Sequence, residues 1–464
     1  MRLLLVSTYE LGHQPIHLAS PAGSLRRANH DVRCLDVSVQ PWDAAAVEWA
    51  DAVAFSVPMH TAMRLALPLA AAVKRDRPEA PVCFYGLYAR MSRDTTMGVV
   101  TDGVFAGEYE PAMLAWANGV AAGADVVHLG RSVFALPARD LLPPLDSYAR
   151  LAVGDTEIMV GAVEASHGCS HRCGHCPVPV VYDGRIRIMP EEMVVADVAQ
   201  LVALGARHIT YADPDFLNGP HHARRVVQAV HDAFPDLTFD CTTKVEHILA
   251  HAELWPDLAG AGCLFVVSAF ESVDDAVLAR LDKSHTAVEA SAAVAVLREH
   301  GIEVRPSWLP FTPWTTPGSL ADLLEFVVAH DLVGNVDPVQ YTVRLLLPEG
   351  SLLLRHPELQ PHLGGYDAER LSWTWSSPDP AVDELQQSLA TLVEERADEP
   401  GAAVFDDIAR MVASAAGRSW LPTPMGARST GPTGPRARLT ESWFCCSEPT
   451  GAQRDAVSSC ETSG

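Results

Sequence analysis

Positive charge is what this 464-residue chain has least of: 34 lysines and arginines face 58 aspartates and glutamates, a formal net charge of −24, and only three of the basic residues are lysine. A surface this acidic repels a polyanion, and the chain has no basic C-terminal domain, which argues against nucleic acid as a partner. Long apolar runs are missing too. No stretch reaches about 18 uninterrupted apolar residues, so no membrane span is expected. The opening run MRLLLVS is cut short by Tyr9, Glu10 and Gly12. That leaves no room for the apolar region and cleavage site of a secretory signal, and a cytoplasmic protein is expected. With 48% apolar and 20% charged residues the chain can bury real cores, and its length predicts two or three domains.

Residues 1–125 alternate short apolar runs with helical stretches. Arg2 to Ser7, Asp31 to Val37, Ala52 to Pro58 and Val82 to Leu87 read as strands, with an Ala-rich helix over 63–74. That alternation predicts a Rossmann-like, doubly wound parallel sheet, whose ligands would sit beyond the carboxyl ends of the strands. Residues 126–158, which include ALPARDLLPPLD, read as a proline-rich linker. From 159 to 350 the alternation resumes in a longer register. Strands are expected at Gly161 to Ser166, His208 to Ala212, Thr238 to Thr242, Leu264 to Ala269, Glu303 to Leu309 and Val339 to Leu346. Six strand–helix units fit an α/β fold of the partial (β/α)6 barrel type, with chemistry at the carboxyl ends of its strands. A small helical region follows over 351–420. Residues 421–464, rich in Pro, Gly, Ser and Thr, read as a flexible tail.

Cysteine is not scarce: there are ten, and their spacing carries information. Cys34, Cys83, Cys241 and Cys263 lie in or beside expected strands and read as buried small hydrophobes. Cys169, Cys173 and Cys176 form a C-x3-C-x2-C triplet directly after an apolar run. Three thiolates on one short loop can each hold one iron of a [4Fe-4S] cluster and leave the fourth iron open. Structural zinc is the plainer alternative, with His167, His171 or His175 as fourth ligand.

The triplet, placed after the first strand of a barrel, resembles the radical S-adenosylmethionine (SAM) superfamily. The resemblance extends further. His175 occupies the ring position before the third cysteine, and Ala212-Asp213-Pro214-Asp215 matches the second-strand segment that holds the SAM amino group. Ser268-Ala269-Phe270-Glu271-Ser272, followed by Asp274 to Leu281 and Lys283, is similar to the fourth-strand motif of the subgroup with an N-terminal cobalamin-binding-type domain; Ala269 stands where that subgroup commonly has Gly. The resemblance implies a [4Fe-4S] cluster and SAM as cofactors, reductive cleavage of SAM, and an electron donor such as a flavodoxin or ferredoxin. Asp213, Asp215, Lys244, Glu271 and Arg305 are then candidates, with His175, for holding SAM, and each could equally be an ion-pair partner on the barrel rim. Cobalamin stays open. The Asp-x-His-x-x-Gly motif of base-off cobalamin domains is absent from Thr8-Tyr9-Glu10-Leu11-Gly12-His13, and His13 has the wrong spacing.

The tail carries Trp443-Phe444-Cys445-Cys446-Ser447-Glu448-Pro449. It resembles the group called CUAEP/CCAEP-tail radical SAM proteins, with Ser447 in place of Ala; the runs Leu309 to Trp314 and Arg344 to Pro348 also look like that group. Adjacent thiolates are a soft chelate. Cys445 and Cys446 are therefore expected to assist catalysis, with the tail folded over the barrel mouth and anchored by its two aromatic rings; Cys460 is unassigned. The first reading is a radical SAM enzyme acting on a small-molecule or metalloid substrate. The alternatives are a cobalamin-dependent radical SAM methylase and a non-catalytic iron–sulfur or metal-sensing protein.

Overall fold

A computed structural model describes residues 1–119, 124–421, 430–431, 434–441, 448–451, 453–455 and 457. The first six strands are β1 Arg2–Ser7, β2 Asp31–Asp36, β3 Ala52–Ser56, β4 Val82–Tyr85, β5 Gly103–Gly107 and β6 Asp125–His128. They form one parallel sheet in the order β2-β1-β3-β4-β5-β6. β1, β3 and β4 are apolar on both faces because both faces are covered. Leu4, Val6, Val53, Phe55 and Phe84 pack with Ala62, Met63, Leu69 and Val73 of the helix His60–Asp76. Leu3, Leu5, Ala54, Tyr85 and Phe105 point the other way, onto Leu18 and Leu25 of Ile16–Arg27 and Met113 and Trp116 of Glu110–Ala117. All six strands are parallel and the order in which they are added reverses between β1 and β3, so the ligand crevice of this topology lies beyond Ser7 and Ser56.

The second sheet begins with the hairpin β7 Arg150–Val153 and β8 Thr156–Val163. A short antiparallel pair, β9 Ser166–Gly168 and β10 Ile186–Ile188, flanks the cysteine loop. Then come β11 His208–Tyr211, β12 Thr238–Thr242, β13 Cys263–Glu271 and β14 Glu303–Trp308, in the order β14-β13-β12-β11-β8-β7, with Arg438–Leu439 of the tail paired beyond β7. β8 and β11 to β14 are parallel and curl into a partial barrel. The strand expected over Val339 to Leu346 is reduced to one parallel bridge between Phe311 and Arg344; a 3-10 turn over Pro338–Tyr341 replaces its first half. Val163, Ile209, Cys241, Val266 and Val304 pack under the outer helices. The inner face carries His208, Asp240, Phe265 and Arg305, joined by a His208–Asp240 contact of 2.8 Å and by stacking on Phe265. Helices Pro380–Glu395 and Gly401–Ala415 pack at the C-terminal end of the barrel domain.

Between the domains, Arg139 is 1% exposed and touches three segments. It pairs bidentately with Asp197 at 2.9 and 2.8 Å, donates to the Ala162 carbonyl of β8 at 2.6 Å, and reaches the backbone and side-chain oxygens of Gln14 at 3.4 Å.

Candidate functional site

The cysteine loop is anchored on all sides. Gly168 ends β9 at φ +76°, and a Cβ there would collide with the Arg185 carbonyl oxygen. Asn218 Oδ1 accepts from Ser170 N at 3.2 Å and Ser170 Oγ at 2.7 Å. Gly174 N donates to Leu281 O at 2.8 Å, and Leu353 N donates to Gly174 O at 3.2 Å. Cys169 and Cys173 are buried, Cys176 is half-buried, and all three are free thiols, as are Cys34, Cys83, Cys241 and Cys263. Of those four, Cys83, Cys241 and Cys263 are fully in the core and Cys34 is half-buried. Gly168→Ala should lower stability by about 2 kcal/mol, from left-handed strain plus the lost β9–β10 register, and reduce iron bound per chain. Iron and acid-labile sulfide assays on the anaerobically prepared variant check this.

Beside the loop, His175 Nε2 and Lys283 Nζ both lie 3.2 Å from Glu271 Oε1. Burial opposes ionisation of Glu271, but the charges of Lys283 and His175 outweigh it and bring its carboxyl down to about 2. Burial likewise opposes the Lys283 charge, and Glu271 and Cys173 more than offset it. A buried ammonium therefore sits next to the thiol loop, which fits an anionic iron–sulfur cluster held by three thiolates. Asp213 closes the end of β8, accepting from Ala165 N at 2.9 Å and Ser166 Oγ at 2.5 Å; burial pushes it up to about 7, these hydrogen bonds notwithstanding. Of the other expected cofactor residues, Asp215 meets His171 and His247, and Lys244 Nζ lies 3.5 Å from Glu246. Arg305 lies inside the barrel on Asp337 and the Ala437 carbonyl, with its guanidinium over Phe265. The structure thus brings His175 and Glu271 together beside the cysteine loop, sets Asp215 against His171 of that loop, and gives Lys244 and Arg305 other partners.

A chain of buried ionisable groups, drawn from separate segments of the sequence, joins the two domains. Glu10, after β1, lies 3.0 Å from His17 Nδ1; His17 Nε2 is 3.5 Å from Glu164, just past β8. Glu164 continues to His167 Nε2 at 3.2 Å, and His167 Nδ1 contacts Glu108, after β5, at 3.0 Å. Burial opposes the charge on His17, but Glu10 and Glu164 outweigh it and push it up to about 9. A raised folded-state pKa stabilises below the unfolded value and loses that stabilisation as pH rises through the folded one. The melting temperature should therefore fall as pH rises from about 6.5 through about 9, and His17→Gln should flatten that slope.

The crevice between β1 and β3 is met by the described ends of the tail. Glu441 Oε1 accepts from Tyr9 OH at 3.0 Å; Glu448 lies 3.0 Å from both His60 Nε2 and Arg64 Nε. Cys445 and Cys446, with Trp443, Phe444 and Cys460, lie outside the described residues. His13, in the loop after β1, is buried, in the field of Asp240, Glu10, His208 and Arg139.

A doubly wound parallel sheet joined at its carboxyl edge to a partial barrel, with three thiols on the loop after the first parallel barrel strand, defines a class of two-domain cofactor enzymes. Family comparison names it: residues 163–326 match the Radical SAM superfamily and residues 2–117 match the B12 binding domain. The chain is a radical SAM enzyme with an N-terminal B12-binding domain. Among solved structures, the cobalamin-dependent S-adenosylmethionine radical enzyme OxsB, with aqua-cobalamin and S-adenosylmethionine bound, is similar at 13% identity and TM-score 0.67, over 85% of this chain and 67% of that one. The radical S-adenosylmethionine methyltransferase TsrM from Kitasatospora setae, with tryptophan substrate and a SAM analogue bound, is similar at 16% identity and TM-score 0.62, over 84% and 88%. At such identities the likeness is one of fold. No curated protein matches the chain. Among the described residues, no helix is long and apolar enough to cross a membrane.

Proposed function

We propose that this chain is a cobalamin-dependent radical SAM methylase acting on a small molecule. The observation that carries the reading is the B12-binding sheet, whose carboxyl edge is joined to the radical SAM cluster loop through Glu10, His17, Glu164, His167 and Glu108. That arrangement favours the methylase over a radical SAM enzyme without a corrinoid. When bound, the cluster supplies one-electron reduction of a sulfonium and the corrinoid supplies a site for methyl transfer.

Cys169, Cys173 and Cys176 hold the cluster and leave one iron open to SAM. His175 and Glu271, with Asp213 at the end of the neighbouring strand, hold SAM. A corrinoid in the β1–β3 crevice is bound without a histidine from the β1 loop. The electron donor is a flavodoxin or ferredoxin. Cys445 and Cys446 assist at the substrate; wild-type turnover by a Cys445→Ser, Cys446→Ser variant would refute that part alone.

The test is anaerobic reconstitution with iron, sulfide and hydroxocobalamin, followed by desalting and mass spectrometry of SAM products. A retained cobalt-dependent spectrum and cobalamin-dependent S-adenosylhomocysteine are expected. 5′-Deoxyadenosine formed equally without cobalamin would return the chain to the corrinoid-free reading. A complete cluster with no SAM cleavage would instead indicate a sensing protein.

A further inference from the structure

His171 lies between Cys169 and Cys173 in the sequence, and its ring meets residues that follow β11 and β12. Its Nε2 is 3.2 Å from His247 Nε2 and 3.8 Å from Asp215 Oδ2, and Asp215 Oδ2 is 2.8 Å from His247 Nδ1. Asp215 is fully buried. Its Oδ1 is occupied, accepting from Leu217 N at 3.2 Å, which fixes the carboxylate in orientation. Its Oδ2 has no hydrogen-bond partner; the 2.8 Å approach of His247 Nδ1 lacks hydrogen-bond geometry, and that nitrogen is also unpaired. A buried carboxylate oxygen left in this state costs about 1–3 kcal/mol or more unless a cation meets it.

We propose that His171, Asp215 and His247 bind a second, mononuclear divalent metal ion, Zn²⁺ or Fe²⁺, separate from the iron–sulfur cluster. One ligand atom from each residue lies within 4.8 Å of the others. Bonds of about 2.0–2.2 Å in a tetrahedral shell put neighbouring ligand atoms roughly 3.3–3.5 Å apart; His171 Nε2 and Asp215 Oδ2 are 3.8 Å apart, and His247 offers either Nε2, 3.2 Å from His171, or Nδ1, 2.8 Å from Asp215, as its one ligand atom. Two imidazoles and one carboxylate select a borderline first-row ion. On the far side of His171, its Nδ1 faces Glu246 Oε2 at 3.6 Å, the place of the outer carboxylate that orients a metal-bound histidine. Three protein ligands leave a coordination position for water or for an oxygen or nitrogen of a small substrate. The ion also ties the cluster loop to the ends of β11 and β12, through Asp215 and His247.

This site does not depend on cobalamin or on the methylase reading. The test is a Co²⁺ titration of the full-length chain carrying Cys169→Ser, Cys173→Ser and Cys176→Ser, with the fold checked by circular dichroism. One equivalent is expected, with visible d–d bands and no thiolate charge-transfer band. Asp215→Asn and His247→Ala each alter a direct ligand and should each weaken it by more than the roughly 10–100-fold that loss of an outer partner costs. Equal affinity in those variants, or cobalt bound only through thiolate, would overturn the proposal. Should the cysteine variant not fold, metal analysis of the holoprotein decides. One zinc or non-cluster iron per chain, lost in His247→Ala at unchanged acid-labile sulfide, supports the site, and no metal beyond the cluster in the wild type refutes it.

Discussion

Arg139→Ala should destabilise the protein by about 3–5 kcal/mol, the range for breaking a buried ion pair by removing one partner. The effect is large because one planar guanidinium serves three segments. It holds Asp197 on the helix Glu191–Ala203, the Ala162 carbonyl of β8, and Gln14 of the loop after β1. Removal leaves the Asp197 carboxylate, 4% exposed, with only Gln200 at 3.2 Å to answer it. Arg139→Lys keeps the charge but not the fork, so it should recover only part of the loss. Pairing Arg139→Met with Asp197→Leu removes both buried charges and should cost less than Arg139→Ala alone. Domain unfolding need not be two-state here, so melting curves should be followed by both far-ultraviolet and tryptophan signals. A separation of those two transitions in Arg139→Ala would show that the residue couples the domains as well as stabilising them.

In the sequence Arg139 is one residue of a proline-rich linker, with nothing local to mark its role. Local pattern reveals strands of Val, Leu and Phe, which is why β1 to β4 and β11 to β14 stand out in the sequence within a residue or two of their observed ends. It does not reveal β5, whose GVFAG is short and carries a glycine at each end, or β6, whose burial is partial. The apolar run at Val339 to Leu346 misled for the opposite reason: Leu345 and Leu347 are buried against Leu309 and Leu353, in a small cluster off the sheet. Hydrophobic periodicity reports burial, and burial does not require a ladder.

The same division holds at the site. The cysteine triplet is legible because its three cysteines lie within eight residues, and Glu271 because a short motif surrounds it. The interdomain row from Glu10 to Glu108 is illegible because its members are brought together by two separate sheets, with no local spacing to mark them. His171, Asp215 and His247 are likewise scattered, and the signal that could have found them was weak: a histidine inside the cysteine loop and another three residues past Lys244. The tail divides too. Glu441 and Glu448 reach the β1–β3 crevice of the first domain, whereas the expected anchors, Trp443 and Phe444, lie outside the described residues.

Glu271→Gln should abolish tight SAM binding and lower stability by about 3 kcal/mol at neutral pH, because it leaves Lys283, 2% exposed, without its counter-charge. The pKa shift gives the same scale: a carboxyl brought from about 4.5 to about 2 contributes roughly 3 kcal/mol that is present above the unfolded value. That contribution is lost as pH falls from about 4.5 through about 2, so the wild-type stability curve should steepen there and the variant's should not. The backbone adds a second constraint. Glu271 sits at φ +62° beside an irregularity in the β13–β14 register, a left-handed position that a long side chain adopts only when its contacts hold it. Glu271→Gly relieves that strain but also removes the oxygen that Gln would keep for Lys283 and His175, so it should fall at least as far in stability as the isosteric Gln and bind SAM no better. Equilibrium dialysis of SAM against the reconstituted protein, beside melting curves for both variants, separates the charge from the strain. Glu271→Gln, Lys283→Met should regain much of the stability and none of the SAM affinity.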